Sequence, residues 1–144
     1  MKTVNDILID KGSQIWSVTP DTKVYDALQL MADKNIGAVL VIEKERIEGI
    51  FSERDYARKV ALEGKSSREL PVKEIMSPKV LFITTKRNAE ECMALMIDKK
   101  IRHLPVYENE ELKGVISIGD VVKAVLDDKK YTIKQLEQYI TNRR

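Results

Sequence analysis

Apolar residues recur along the chain with two alternating periods, and the order of those periods repeats once. Val24, Ala27, Leu28 and Met31 fall at the i, i+3, i+4, i+7 spacing that places four side chains on one helix face, and so do Ala89, Cys92, Met93 and Met96. Each stretch predicts an amphipathic helix whose apolar face belongs to a core. A short apolar run precedes each, Ile15 to Val18 and Val80 to Ile83, and reads as a strand leading into Thr19 or Thr84. Two further runs follow each helix, Ala38 to Ile42 with Ile47 to Phe51, and Leu104 to Tyr107 with Leu112 to Ile116. The polar residues between them, Lys44 to Arg46 and Asn109 to Glu111, predict hairpin turns. Helices from Glu53 to Leu62 and from Ile118 to Leu126 close the two stretches. The predicted unit is therefore strand, helix, strand, strand, helix, present twice.

Sliding the sequence against itself gives a match at an offset of 65 without a gap from Val18 through Val60. In that register Leu30 and Met31 meet Leu95 and Met96, Ile36 meets Ile101, Gly49 meets Gly114, Ser52 meets Ser117 and Asp55 meets Asp120. A unit of about 60 residues with three short strands buries little surface alone. Two pseudo-symmetric copies are therefore expected to pack face to face through their sheets as one α+β module. The expected boundaries are 3–63 for the first repeat, 64–71 for a linker, 72–128 for the second repeat and 129–144 for a C-terminal helix. Val4 to Ile9 reads as a helical turn matched by Val72 to Met76. Ile133, Leu136, Tyr139 and Ile140 form a stripe on the last helix that needs a surface to cover, on a neighbouring subunit or the module's own flank.

Composition narrows the function more by what is scarce than by what is common. The 144 residues are 43% hydrophobic and 33% charged with a net charge of +2, enough apolar surface for a core and no sign of a disordered tract. One Cys and one His exclude a disulfide scaffold and a Cys/His zinc site. The longest apolar run, Ala38 to Ile42, is far short of the roughly 20 residues that span a bilayer, and no secretory leader pattern opens the chain. A soluble, reducing, cytoplasmic setting is expected, with no membrane contact. Lys and Arg alternate with Asp and Glu, and the Lys129-Lys130 and Arg143-Arg144 pairs have no aromatic residues interleaved, so no nucleic-acid partner is expected.

The strongest local signal is Gly49-Ile50-Phe51-Ser52-Glu53-Arg54-Asp55 with its copy Gly114-Val115-Ile116-Ser117-Ile118-Gly119-Asp120. A strand delivers Ser to the start of a helix, and an acidic residue follows three places on. That spacing is a helix-capping pattern. The same arrangement suits a nucleotide, because a helix start attracts phosphate while Ser and Asp offer oxygens to ribose hydroxyls. A Ser-His-Asp hydrolase would have to use His103, and no Gly-x-Ser-x-Gly elbow accompanies it. Cys92 reads as an inert core thiol, Trp16 as a core residue, and Asp127 with Asp128 as solvated charge.

Both copies of the Gly, two apolar residues, Ser, two residues, Asp pattern resemble the closing motif of cystathionine beta-synthase (CBS) domains. The resemblance covers roughly residues 3 to 127 and implies a tandem pair, the Bateman module, in stand-alone form. It implies regulatory binding of an adenosyl ligand (AMP, ADP, ATP, NAD or S-adenosylmethionine) in two clefts shared by the repeats, with no catalytic residue, metal or catalytic cofactor. One implied site combines Ser52, Arg54 and Asp55 with Thr84, Arg102, His103 and Leu104. The other combines Ser117, Ile118 and Asp120 with Thr19, Gly37, Ala38 and Val39. Arg102-His103 aligns with Gly37-Ala38, and Arg54 with Gly119, so the sites are expected to be unequal and the first to prefer a charged nucleotide. The family also implies a homodimer that modulates a separate target protein. The rival expectation is a structural or dimerisation module whose Ser and Asp pairs are helix caps only.

Overall fold

The computed structural model describes residues 1–128 and Glu137. The stripe predicted at Ile133, Leu136, Tyr139 and Ile140 lies outside those residues. In chain order the elements are α1 (Val4–Lys11), β1 (Ser17–Val18), α2 (Val24–Lys34), β2 (Ala38–Glu43), β3 (Arg46–Ser52), α3 (Glu53–Tyr56), β4 (Ile83–Thr84), α4 (Ala89–Lys99), β5 (His103–Glu108), β6 (Glu111–Ser117) and α5 (Ile118–Asp128). α3 runs on as one π-helical stretch, Ala57–Ala61, and a 3-10 turn spans Val72–Glu74.

These elements form two units, residues 16–80 and residues 1–15 with 81–128. Each holds a three-stranded sheet in which a two-residue strand lies parallel to the middle strand, and the middle strand lies antiparallel to the third. The β2–β3 and β5–β6 registers are equivalent, down to one irregularity between Val41 and Ile42 and its copy between Val106 and Tyr107. Both hairpins close on two-residue turns, Lys44-Glu45 and Asn109-Glu110, with φ of 51° and 64° in each. Positive φ at both positions is the type I′ geometry that matches strand twist. Pro105 sits inside the central strand β5, yet β4 pairs only with Val106 and Tyr107, so its missing N–H interrupts no bond to β4.

Local chemistry starts and stops the helices. Thr3, Ser52 and Asn88 cap α1, α3 and α4 with reciprocal bonds to Asp6, Asp55 and Glu91. α2 and α4 end on Asn35 and Lys100 in the left-handed region, at φ of 54° and 56°. The predicted helix faces are core: Val24, Ala27 and Met31 pack with Val39, Val41, Phe51 and Val60 in one unit, and Ala89, Cys92 and Met96 pack with Leu104, Val106, Ile116 and Val121 in the other. Trp16 departs from its expected place. It is half-buried, outside the core, with the Lys34 ammonium 4.3 Å from its ring centroid.

Chain order and spatial order differ at the boundaries. Residues 3–15, grouped by sequence with the first repeat, lie in the unit of the second, while Val72–Glu74 lies in the unit of the first. Each repeat is thus completed by the segment that precedes the other. The motif glycines make room for those segments: a Cβ at Gly49 would stand 2.7 Å from Met76 Sδ and 2.8 Å from the Ser77 carbonyl, and one at Gly114 would stand 2.8 Å from Leu8 Cδ2. Only a residue without a side chain allows so close an approach.

Candidate functional site

In the 16–80 unit, β3 ends at Ser52, whose register partner is Ala38 at the start of β2. The Glu53 amide donates to the Gly37 carbonyl at 3.0 Å, which locks the two chain corners together. Asp55 is buried, and both of its oxygens are used. Oδ2 accepts from the Ser52 amide at 2.9 Å and the Ser52 hydroxyl at 3.1 Å; Oδ1 accepts from the Ser77 hydroxyl at 3.3 Å and lies 3.2 Å from the Lys59 ammonium. The Ser77 amide also donates to the Ile50 carbonyl at 2.9 Å.

The second unit repeats this corner with different partners. Ser117 pairs with His103 across β5 and β6, and the Ile118 amide donates to the Arg102 carbonyl at 2.8 Å. Asp120 Oδ2 accepts from the Ser117 amide at 2.8 Å and from the Lys11 ammonium at 2.6 Å, and Lys11 donates a second bond to the Val115 carbonyl at 2.9 Å. Burial works to raise the pKa of Asp120, but the Lys11 bond, the Ser117 amide and the Lys11 charge outweigh it, so the carboxyl ionises below its ordinary value. Burial, with Lys11 and Arg102 adding to it and Asp120 opposing, holds His103 below the usual imidazole value. His103 is therefore a neutral ring near pH 7. The Lys11–Asp120 pair also lines a cavity of about 70 Å³ between α1 and α5.

The sequence-derived residues divide between the two units. Thr19, Gly37, Ala38 and Val39 share a unit with Ser52, Arg54 and Asp55, while Thr84, Arg102, His103 and Leu104 share one with Ser117, Ile118 and Asp120. Ala38, Val39 and Leu104 are buried strand residues that can offer backbone groups and apolar surface; Arg54 and Arg102 are exposed cations. Thr19 is exposed and tied to the Thr22 hydroxyl at 3.0 Å, and Thr84 is an exposed end of β4. Gly37 also lines a cavity of about 320 Å³ with Leu28, Met31 and Glu53.

Three residues at the corners were not anticipated from sequence. Lys59 stands four places after Asp55, the spacing at which helix side chains meet, so its signal was legible. Ser77 and Lys11 carry no local signal, since they reach their carboxylates from 22 and 109 residues away. Among the described residues no group of His, Cys, Asp and Glu is placed to hold a metal ion, and no helix is long and apolar enough to cross a membrane.

Comparison with known proteins agrees with the duplicated corner. The chain is 38% identical to the CBS domain-containing protein CBSX3, mitochondrial, of Arabidopsis thaliana, over 96% of this chain and 71% of that one. Among solved structures it matches a putative signal-transduction protein with CBS domains from Burkholderia ambifaria at a TM-score of 0.86 and 49% identity, covering 92% of this chain and 99% of that one. It also matches CBSX2 in complex with AMP at a TM-score of 0.70 and 30% identity, covering 90% and 99%. The CBS domain model fits residues 4–62 and again residues 72–127, and with these two matches spanning most of its length the chain belongs to the CBS-domain family.

Proposed function

We propose that the chain is a regulatory module that binds an adenosyl nucleotide, of the AMP, ADP, ATP or NAD type, and passes its presence to a partner protein. The observation that carries this reading is the recurrence, at both corners, of a carboxylate held against a strand end whose backbone begins the neighbouring strand. An ionised carboxylate is an acceptor, suited to the paired hydroxyls of a ribose. Strand backbone groups of Gly37, Ala38 and Val39, and of Arg102, His103 and Leu104, can read an adenine edge, and buried apolar side chains can sandwich the ring. Arg54, Arg102 and Lys11 supply cations for phosphate. Such a site binds its ligand without transforming it. The AMP carried by CBSX2, a relative of nearly equal extent, supports the ligand class. Within the same reading the working form is a homodimer in a reducing cytoplasmic setting.

Thermal unfolding with AMP, ATP, NAD and S-adenosylmethionine tests the reading. A ligand at a hundredfold excess over its dissociation constant stabilises the folded state by about 2.7 kcal/mol, which raises the melting temperature by several degrees. A flat melting temperature with every compound overturns it. Asp55→Ala and Asp120→Ala are expected to abolish binding at their own corners. If both variants lose stability but bind as the parent does, the carboxylates are helix caps and the module is structural.

A further inference from the structure

We propose that Lys11 is a specificity-determining residue that selects an anionic group, a phosphate, on the ligand held beside Asp120; the inference rests on the adenosyl-nucleotide reading. An ammonium carries three donors, and the structure commits two of them, to the Val115 carbonyl and to Asp120 Oδ2. Those two bonds fix a long side chain in one place and leave its third N–H for a ligand. Asp120 is correspondingly half-used. Its contacts from the Ser117 amide and from Lys11 fall on Oδ2, and among the described residues no hydrogen bond reaches Oδ1. The Lys11 and Asp120 side chains keep 36% and 24% of their surface exposed. An acceptor oxygen and a cationic donor thus stand side by side and open to solvent, a match for a sugar hydroxyl next to a phosphate.

The other unit lacks this arrangement. There the equivalent strand carbonyl, of Ile50, is bonded by the Ser77 amide, and the equivalent carboxylate, of Asp55, has both oxygens occupied and a side chain only 11% exposed. The position 65 residues after Lys11 is Met76, which packs against Gly49. Arg102 and His103 likewise stand where the first repeat has Gly37 and Ala38. The Asp120 corner therefore carries Lys11 and Arg102 where the other repeat has Met76 and Gly37, while the Asp55 corner has Lys59 and Arg54 of its own.

The test compares AMP with adenosine by calorimetry on the full chain, which differ only in the phosphate. The parent is expected to bind AMP about tenfold or more tighter than adenosine, the range of one charge-assisted hydrogen bond. Lys11→Met, the residue of the other repeat, and Lys11→Gln, which keeps a donor without charge, should both collapse that ratio, and Lys11→Arg should restore it. A ratio unchanged in Lys11→Met and Lys11→Gln overturns the role of Lys11 while leaving the nucleotide reading in place. If the parent binds neither compound, the nucleotide reading falls and the role of Lys11 with it. Should Lys11→Met fail to fold by circular dichroism, Lys11→Gln and Lys11→Arg decide between the same outcomes.

Discussion

The Lys11 ammonium lies 2.6 Å from Asp120 Oδ2, joining two residues 109 positions apart in the chain. In the other unit Ser77 reaches the matching carbonyl and the matching carboxylate with a neutral amide and hydroxyl. One cation thus bridges the carbonyl and the carboxylate in one repeat, whereas in the other the carbonyl takes a neutral amide and the carboxylate takes a hydroxyl together with the Lys59 ammonium.

That difference has a pH signature. Asp120 ionises below its ordinary value in the folded state, so its contribution to stability is present above the unfolded carboxyl value of about 3.9 and is lost as pH falls through the folded one. Lys11→Met keeps most of the alkyl stem and removes the charge. Urea unfolding near neutrality should show a loss of about 1 kcal/mol, small because the pair is partly exposed, and the gap to the parent should close in strong acid. A gap that is constant with pH would assign the effect to packing.

The two motif glycines should differ in sensitivity. Gly49→Ala drives a methyl toward the Ser77 carbonyl as well as Met76 Sδ, and a backbone oxygen held by the Ile50 amide at 3.0 Å has little room to retreat. Gly114→Ala meets only Leu8, chiefly the end of its flexible side chain. Overpacking costs about 1–3 kcal/mol, with Gly49→Ala at the upper end and Gly114→Ala at the lower, measured by denaturant midpoints. Equal losses would contradict the backbone-clash account.

The first hairpin turn is built from residues poorly suited to it. Lys44 and Glu45 both hold positive φ, a region that costs residues other than Gly, Asn and Asp about 1 kcal/mol or more. Replacing Lys44-Glu45 with Asn-Gly should raise the melting temperature by several degrees. The second turn already has Asn109 at its first position, so the same replacement there, Glu110→Gly alone, should gain less.

Cys92 is fully buried, and burial, aided by the charge of Glu91, pushes its thiol up to about 11. The thiolate is the reactive form. A disulfide reagent at pH 8 should leave the native thiol unmodified over minutes and titrate one thiol at once in guanidinium chloride. Rapid native reaction would show that α4 opens readily.

The sequence by itself determined the repeat, the order of elements within it, the two hairpins and the Ser and Asp capping pattern, because these rest on neighbours a few residues apart: the 3.6-residue period of α2 and α4 and the cap at Ser52. Tertiary structure alone decided that α1 completes the second repeat and that Val72–Glu74 completes the first. It also decided that Lys11 meets Asp120 and that Ser77 meets Asp55. Such pairings depend on which surface a glycine leaves open and which carbonyl lacks a strand neighbour. Those properties arise only once the sheet has formed, and no spacing along the chain encodes them.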